Sequence, residues 1–388
     1  MGASCTHYSL LMQTNFQYII IGAGCAGLQL AYALLQLPEN VVSSILIIEN
    51  LTIHQEKSWC FWYHQQHPYH HLVAKQWSHL TFATKNFSTT QPIQPLSYQY
   101  INSSNFYQYH LNYFKNDDRI QIIYQSLVDI VESTSVQTII TNKMQFTANC
   151  VFYSIDYLPK PIQQNFTITQ HFLGWIIETN ENVFEVDKAT FMDFSHHQST
   201  DIQFIYILPF SATTALIECT FFSSSICSDE AYEEILKNYL SATIQCQYAI
   251  QKKETGKIPM SLIAKIRTSN KNIIPIGTAA GCIKASTGYS FTRAMEHTQQ
   301  IINAIKHQQN ILIRTSKKRF LFYDRLFLHI ISAYPASVMI NIFNHLFKYN
   351  QFKTILQFLD EKTSLLQEIK IFIRLPKLPF LKAILKLK

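Results

Sequence analysis

Glu218 stands in the run TALIECTFF (residues 214–222), with apolar neighbours on both sides. On a strand, Leu216, Glu218, Thr220 and Phe222 share one face. A carboxyl in such surroundings is poorly solvated and its pKa rises, so it can hold a proton at working pH and donate it. The same pattern fits a strand glutamate that points to water or pairs with a lysine. A second chemistry is written in the glycines. The chain has 9 glycines in 388 residues, and three of them form the motif Gly22-Ala23-Gly24-Cys25-Ala26-Gly27. In such a motif the first glycine permits a tight strand-to-helix turn, the second admits a pyrophosphate, and the third lets helix and strand pack closely. Amide donors at the helix start then face the phosphates.

The elements that must position these groups are legible around them. QYIII (residues 17–21) reads as a strand, LQLAYALLQL (28–37) as a helix, and ILIIE (45–49) as a second strand. That strand ends in Glu49, 22 residues after Gly27, where the acid would accept hydrogen bonds from ribose hydroxyls. A glycine turn in an ordinary βαβ unit is the plainer alternative. Arg119 to Val131, TIITNKMQF and CVFYSI read as further strands of the same fold. From about 161 to 255 the pattern is mostly period two, as in GWIIET, FIYILPF and TALIECTFF, which predicts a separate antiparallel sheet. Residues 229–245 read as a helix. NIIPIGTAAGC (272–282) reads as a strand and glycine turn, followed by a helix over 291–308.

Gly277, Gly281 and Gly288 cluster in this late segment, so six of the 9 glycines lie in two stretches some 250 residues apart. Both are expected to approach one ligand from opposite ends, the first loop at the pyrophosphate and the late loop, with Thr278, at the ribityl and ring end. The predicted fold class is α/β. A Rossmann-like FAD-binding domain of the two-dinucleotide-fold type (16–60, 106–160 and 256–310) is joined by an antiparallel β substrate domain (61–105 and 161–255). A basic helical region (311–388) follows.

Composition narrows the function. Hydrophobic residues make up 47% and charged residues 15% of the chain, an oily balance for a solvated surface. None of the 8 cysteines forms a CxxC or CxxH pair, which argues against zinc. A cysteine inside the phosphate loop suits a reducing compartment, and the expected location is cytoplasmic and membrane-peripheral. The start, MGASCT, fits a myristoylation pattern, while Met12 could equally be the true start. The formal net charge of +7 is uneven: residues 1–310 carry 18 Lys+Arg against 21 Asp+Glu, and residues 311–388 carry 14 against 4. Residues 370–388 hold six Lys/Arg, no acid, and Phe and Leu throughout, which suits docking on an anionic membrane or, alternatively, a packed helix with a solvated basic face. Leu326 to Phe347 carries no formal charge over 22 residues. It contains Pro335, Asn341 and Asn344, so it reads as two packed or interfacial helices rather than one span. No internal repeat or nucleic-acid motif is visible.

An ordered set of segments resembles the lycopene cyclases of the β-cyclase type. GAGCAGLQLA is similar to the family's nucleotide motif, EKSWCFW (56–62) to its Trp-x-Phe-Trp segment, and QHFLGWIIET and FMDF to its middle region. LPFSATTALIECTFFS (208–223) is similar to the segment that holds its essential glutamate, and ETGKIPM, GTAAGCIKASTGYSF, FYDRLFL and FLDE complete the order. Two departures stand out. The family's Phe-x-Glu-Glu-Thr lacks its second acid here, and the late Gly-Asp of many flavoproteins is Gly277-Thr278.

The resemblance implies a non-redox cyclisation of lycopene ψ-ends to β-ionone rings. Glu218 would protonate the terminal double bond, and the same carboxylate or another base would take a proton back. Reduced FAD would stabilise the carbocation. Unit charges about 4 Å apart interact by about 4 kcal/mol at an effective dielectric near 20. NAD(P)H would keep the flavin reduced. Tyr289 and Trp175 are candidates for cation–π stabilisation, with plain packing as the alternative. Rival readings are a redox flavoprotein acting on an isoprenoid lipid, such as a geranylgeranyl reductase or a monooxygenase, and a non-catalytic carotenoid-binding membrane protein.

Overall fold

A computed structural model describes residues 13–52, 56–64, 66–154, 168–196, 201–262, 270–311 and 316–387. The MGASCT start and Met12 lie outside the described residues. The first sheet is built on β1 (Asn15–Ile21), whose isoleucines are buried on both faces, as a parallel central strand requires. In order, the sheet runs β8 (Ile120–Tyr124), β2 (Ile45–Glu49), β1, β11 (Gln145–Tyr153), β10 (Gln137–Thr141) and β9 (Leu127–Val131), with β17 (Ile273–Pro275) also on β11. β8, β2, β1, β11 and β17 pair in parallel. β9 and β10 extend the sheet by antiparallel pairing. Arg119 to Val131 is therefore two strands, and TIITNKMQF is a hairpin.

Helices α1 (Cys25–Leu35) and α4 (Phe291–Lys306) pack together over this sheet, and α2 (Ser103–Phe114) packs on α1. The sequence reading missed α2. Its composition is polar and aromatic with a weak apolar stripe; Asn102 starts it by accepting from the amides of Ser104 and Asn105, as an N-cap does.

The second sheet runs β16 (Tyr248–Met260), β12 (Ile168–Thr179), β15 (Thr214–Ser223), β14 (Ile202–Pro209), β13 (Lys188–Phe194), β5 (His79–Thr84) and β6 (Phe87–Pro92). It is antiparallel except for β13 on β5, which is parallel. One face packs on α3 (Asp229–Thr243) through Trp175, Ile217, Phe221, Tyr232 and Leu236. A small third sheet, β3 (Ser58–His64), β7 (Leu96–Asn102) and β4 (Lys75–Trp77), joins the other side.

Five helices cover that other face: α5 (Lys318–Ala333), α6 (Ala336–Tyr349), α7 (Phe352–Leu359), α8 (Leu365–Ile373) and α9 (Lys377–Lys386). The uncharged stretch from Leu326 to Phe347 breaks at Pro335, which begins α6. Among the described residues no helix is long and apolar enough to cross a membrane. Phe82 stacks on Phe347 and Phe194 on Phe343, so the helices seat on the sheet through aromatic pairs.

A buried charge cluster ties the late glycine loop to these helices. Lys284, 4% exposed, bonds Asp324 at 2.8 Å and Glu361 at 3.1 Å, and Arg293 reaches Glu361 at 3.1 Å. Glu361 also accepts from the Ser316 hydroxyl and the Lys317 amide. Burial alone would raise the Glu361 carboxyl, but the Lys284 and Arg293 charges outweigh it and hold it below its usual range. Glu361 sits at φ +60°, a left-handed conformation that costs roughly 1–2 kcal/mol for a residue with a Cβ. Lys284→Ala would leave Asp324 and Glu361 short of a partner in a dry place. Its expected cost is about 3–5 kcal/mol in urea denaturation.

Candidate functional site

The early glycine loop has the local geometry its spacing implies. Gly22 has φ +100°, which favours glycine. A Cβ at Gly27 would fall 2.0 Å from the Gly22 carbonyl oxygen, so this glycine permits α1 to lie against β1. A Cβ at Gly24 would meet nothing within 4 Å. Gly24 caps α1 without any side-chain hydrogen bond, leaving amide donors at the helix start free for an anion. Ala23 and Ala26 are buried, and Cys25 accepts from Gln29.

Glu49 has a role the sequence did not reveal. Its carboxylate accepts from the Ala23 amide at 2.7 Å, the Asn50 amide at 2.8 Å and the Leu51 amide at 3.1 Å. It braces the loop against the end of β2. A carboxylate has about four acceptor positions, so room for a ribose hydroxyl remains.

The late loop meets the early one directly. Gly277, at φ +53°, lies so close to Ala26 that an added Cβ would be 2.9 Å from the Ala26 Cβ. Gly281 and Gly288 also have positive φ. Thr278 is exposed, and its carbonyl accepts from the Gly281 amide. Gly288 lies further along, against Gln170 and Ile258. The two glycine clusters thus frame one cradle whose open space at Gly24 and uncapped helix start suit a dinucleotide.

A cavity of about 460 Å³ opens beside this cradle, and Cys25, Gly288 and Tyr289 line it together with Glu218. Leu216, Glu218, Thr220 and Phe222 all face it. Glu218 is 7% exposed. Burial, and then the neighbouring charge of Glu254, push its carboxyl up to about 8, against the opposing hydrogen bond from Thr220. The Thr220 hydroxyl donates to Glu218 Oε1 at 2.6 Å. The acid's own hydrogen then belongs on Oε2.

Glu254 was not singled out as a functional residue by the sequence reading. It reaches the site through strand register: Gly174 of β12 lies opposite Glu218 on one side and opposite Glu254 of β16 on the other. Its carboxyl is raised by burial, opposed by the Ser58 hydroxyl, which donates at 2.7 Å, and by Lys252. In the structure β16 turns Lys252, Glu254, Gly256 and Ile258 inward, half-buried, with their neighbours exposed; polar residues stand on both faces, so the sequence alone gives no such alternation.

Aromatic rings form the rest of the wall. Tyr98 bonds the hydroxyls of Tyr206 at 2.5 Å and Tyr289 at 2.8 Å, and Tyr206 lies opposite Glu218 in register. Phe172, Phe191, Phe204 and Phe222 complete the apolar lining near the sheet. Trp175 is corrected: next to Gly174 it must point the other way, and it packs under α3 away from the cavity. Gln170 Oε1 is buried without a hydrogen-bond partner and belongs to a residue lining the same cavity.

The far end of the cavity is made by Ile371, Phe372, Leu375 and Phe380 from the inner side of α8 and α9. The outer side of those helices exposes Leu366, Ile369, Ile373, Leu378, Leu381 and Leu385. Lys370, Arg374, Lys377, Lys382 and Lys386 are exposed among them. No group of three metal-binding side chains is present among the described residues.

Known proteins resemble this chain in both sequence and shape. A stretch of 183 residues, 43% of this chain, is 26% identical to a chloroplast lycopene beta cyclase of Solanum lycopersicum. The match spans 34% of that protein, about a third of its length. Among solved structures, a geranylgeranyl bacteriochlorophyll reductase-like protein of Thermoplasma acidophilum superposes with TM-score 0.58 at 12% identity, over 92% of this chain and 96% of that one. The halogenase PltM, in complex with phloroglucinol and FAD, superposes with TM-score 0.55 at 11% identity, over 89% of this chain and 82% of that one. These likenesses identify the fold as that of the FAD-binding flavoproteins. The family model for lycopene cyclase protein matches residues 17–385, nearly the whole chain, and the chain belongs to the lycopene cyclase family.

Proposed function

We propose that this protein cyclises ψ-ends of lycopene or a related acyclic carotenoid to β-ionone rings, with no net redox change, while holding FAD. The single observation that carries this reading is a buried Glu218, its carboxyl pushed up to about 8, lining an aromatic cavity that adjoins the glycine cradle. Family membership and the FAD-bound halogenase of the same fold support it. Gly22, Ala23, Gly24, Cys25, Ala26, Gly27 and Glu49 would hold the pyrophosphate and ribose end, and the loop from Gly277 to Gly288 would hold the ring end. Bound there, FAD kept reduced by NAD(P)H would supply negative charge to offset positive charge on the polyene.

The chain's own residues do the rest. Thr220 fixes one oxygen of Glu218 and leaves the other to deliver its proton to the terminal double bond. The tertiary cation that forms has aromatic faces around it and no bulk water, conditions under which cation–π attraction is worth most. The neighbouring double bond attacks, the ring closes, and a proton leaves to give the β-ring. The lid of α5–α9 excludes the water that would otherwise trap the cation as an alcohol.

The substrate is oily, and the outer face of α8–α9 supports docking on an anionic membrane. Leucines would enter the interface while lysines meet the headgroups. The same two helices line the cavity's far end, so a polyene could pass from the bilayer directly into the site.

Four outcomes follow from this reading. Glu218→Gln is expected to retain FAD, seen as unchanged flavin absorbance, and to lose cyclisation by at least about 100-fold. Pigment chromatography and mass of the product check it: a cyclase leaves mass unchanged, a reductase adds two, a monooxygenase adds sixteen. In the wild type, activity should fall as pH rises through about 8, where Glu218 loses its proton. Folding stability should fall earlier, as pH climbs from 4.5 to about 8, and level off above. A carboxyl whose folded pKa is raised contributes no penalty below its unfolded value and a growing one as pH climbs to the folded value. Glu218→Gln should therefore melt higher than the wild type above pH 8. Reversing Lys370, Arg374 and Lys377 to Glu should weaken sedimentation with anionic vesicles, at about 1 kcal/mol for each lysine or arginine lost, and leave neutral vesicles unaffected.

A further inference from the structure

The protonating acid is assigned above; the group that accepts the departing proton is not. We infer that Glu254 is that acceptor, and that Glu218 and Glu254 work as a pair holding one proton across Gly174. The inference rests on the cyclase reading and adds a residue to it.

Three observations place the pair. Gly174 lies opposite both glutamates in register, one on each flanking strand. Their side chains therefore leave the same face of the sheet, two strand spacings apart, roughly 9–10 Å at the backbone. The residue between them is a glycine, at a position where a side chain would intrude. A Cβ on Gly174 would come within 2.9 Å of Leu216 Cδ1 and 3.4 Å of the Glu218 Cβ. Finally, both glutamates line the same cavity. Leu216 and the stem of Glu218 close over the bare backbone at Gly174, so both carboxyls border the cavity itself, where a ring's carbons can meet each of them.

The surroundings distinguish the two acids. Glu218 faces only neutral polar groups besides Glu254: the Thr220 hydroxyl on its own strand, Tyr206 from β14, Cys60 from β3 and Tyr289 from the late loop. On the helical side Asp324 lines the cavity but is held by Lys284. Glu254 faces the Ser58 hydroxyl from β3 and the Lys252 ammonium on its own strand, with Tyr100 of β7 and Cys60 close by. Lys252 in turn pairs with Glu56 at 2.5 Å near the surface. The cation and the hydroxyl favour the charged form of Glu254, and among the described residues no cation stands beside Glu218. A single shared proton therefore resides on Glu218.

The cycle balances without an outside acid, base or oxidant. Glu218 gives its proton to one carbon of the terminal double bond. The π electrons of the neighbouring double bond form the new carbon–carbon bond of the ring. A ring C–H bond then breaks, its electron pair becomes the ring double bond, and the Glu254 carboxylate takes the proton. The pair now holds the same proton on the other side, and its return across Gly174 restores the starting state.

The test uses the full chain reconstituted with FAD and a lycopene-type substrate. With two groups required in opposite states, the wild-type pH–rate profile should be a bell. Glu254→Gln should keep flavin binding, lose about 100-fold or more in turnover, lose the acid limb of the bell, and move the alkaline limb to lower pH. Glu254→Asp should recover part of the rate and the acid limb. Infrared titration of the same proteins without substrate provides an independent reading. The protonated-carboxyl band absent from Glu218→Gln should vanish at lower pH in Glu254→Gln than in the wild type. Wild-type turnover and profile in Glu254→Gln, or a band that titrates identically in both proteins, overturns the inference. A shifted band in a protein that cyclises no ψ-end leaves the shared proton standing and overturns the acceptor role together with the cyclase reading.

Discussion

Taking one carboxyl out of water sets the terms for the rest of this molecule. An acid that would be ionised at the surface holds its proton here because three layers surround it: the sheet beneath, the small sheet beside, and the lid of helices above. What these layers present to Glu218 is apolar or neutral, Glu254 apart. Desolvation is the largest cause of the raised carboxyl, and the neighbouring charge is second. The aromatic richness of the chain finds its reason in this wall, since rings bury large areas with little entropy and can also face a cation.

The oily interior is made compatible with a folded, charged protein by confining charge to a few bonded places. The lid is fastened by Lys284, Arg293, Asp324 and Glu361, all of them paired. Arg319 and Glu368 make a second clasp within the lid itself, with Tyr323 donating to the same carboxylate. The remaining basic residues of the C-terminal helices stand at the outer surface among exposed leucines. Charge is thus either neutralised inside or presented outside, and Glu218 and Glu254 are left where desolvation governs their protonation.

Much of the fold was readable from residue types. The βαβ start, the late glycine turn, the helix after it and the break at Pro335 follow from glycine spacing, periodicity and proline. Glu218 was legible because an acid in an apolar alternation is conspicuous. Glu254 was not, because its strand is polar on both faces and its importance comes from register with β12 and β15, which local sequence does not encode. The same limit left Trp175 open between packing and cation–π: its neighbour Gly174 carries the inward position, and nothing in GWIIET says which parity faces the cavity. The helix α2 escaped because tertiary packing and an asparagine cap sustain a segment with little apolar stripe of its own. The amide contacts of Glu49 require knowing how the loop curls back on β2.

Lys284 belongs to the loop that begins at Gly277, and its partners Asp324 and Glu361 belong to the lid. The cradle proposed for the nucleotide and the helical roof over the cavity therefore share one anchor, and neither is an interchangeable module. Chimeras that transplant a roof from one relative onto another would have to bring all four members of that anchor from the same parent, or two half-matched sets of ions would be sealed into an interior with no solvent to absorb the mismatch.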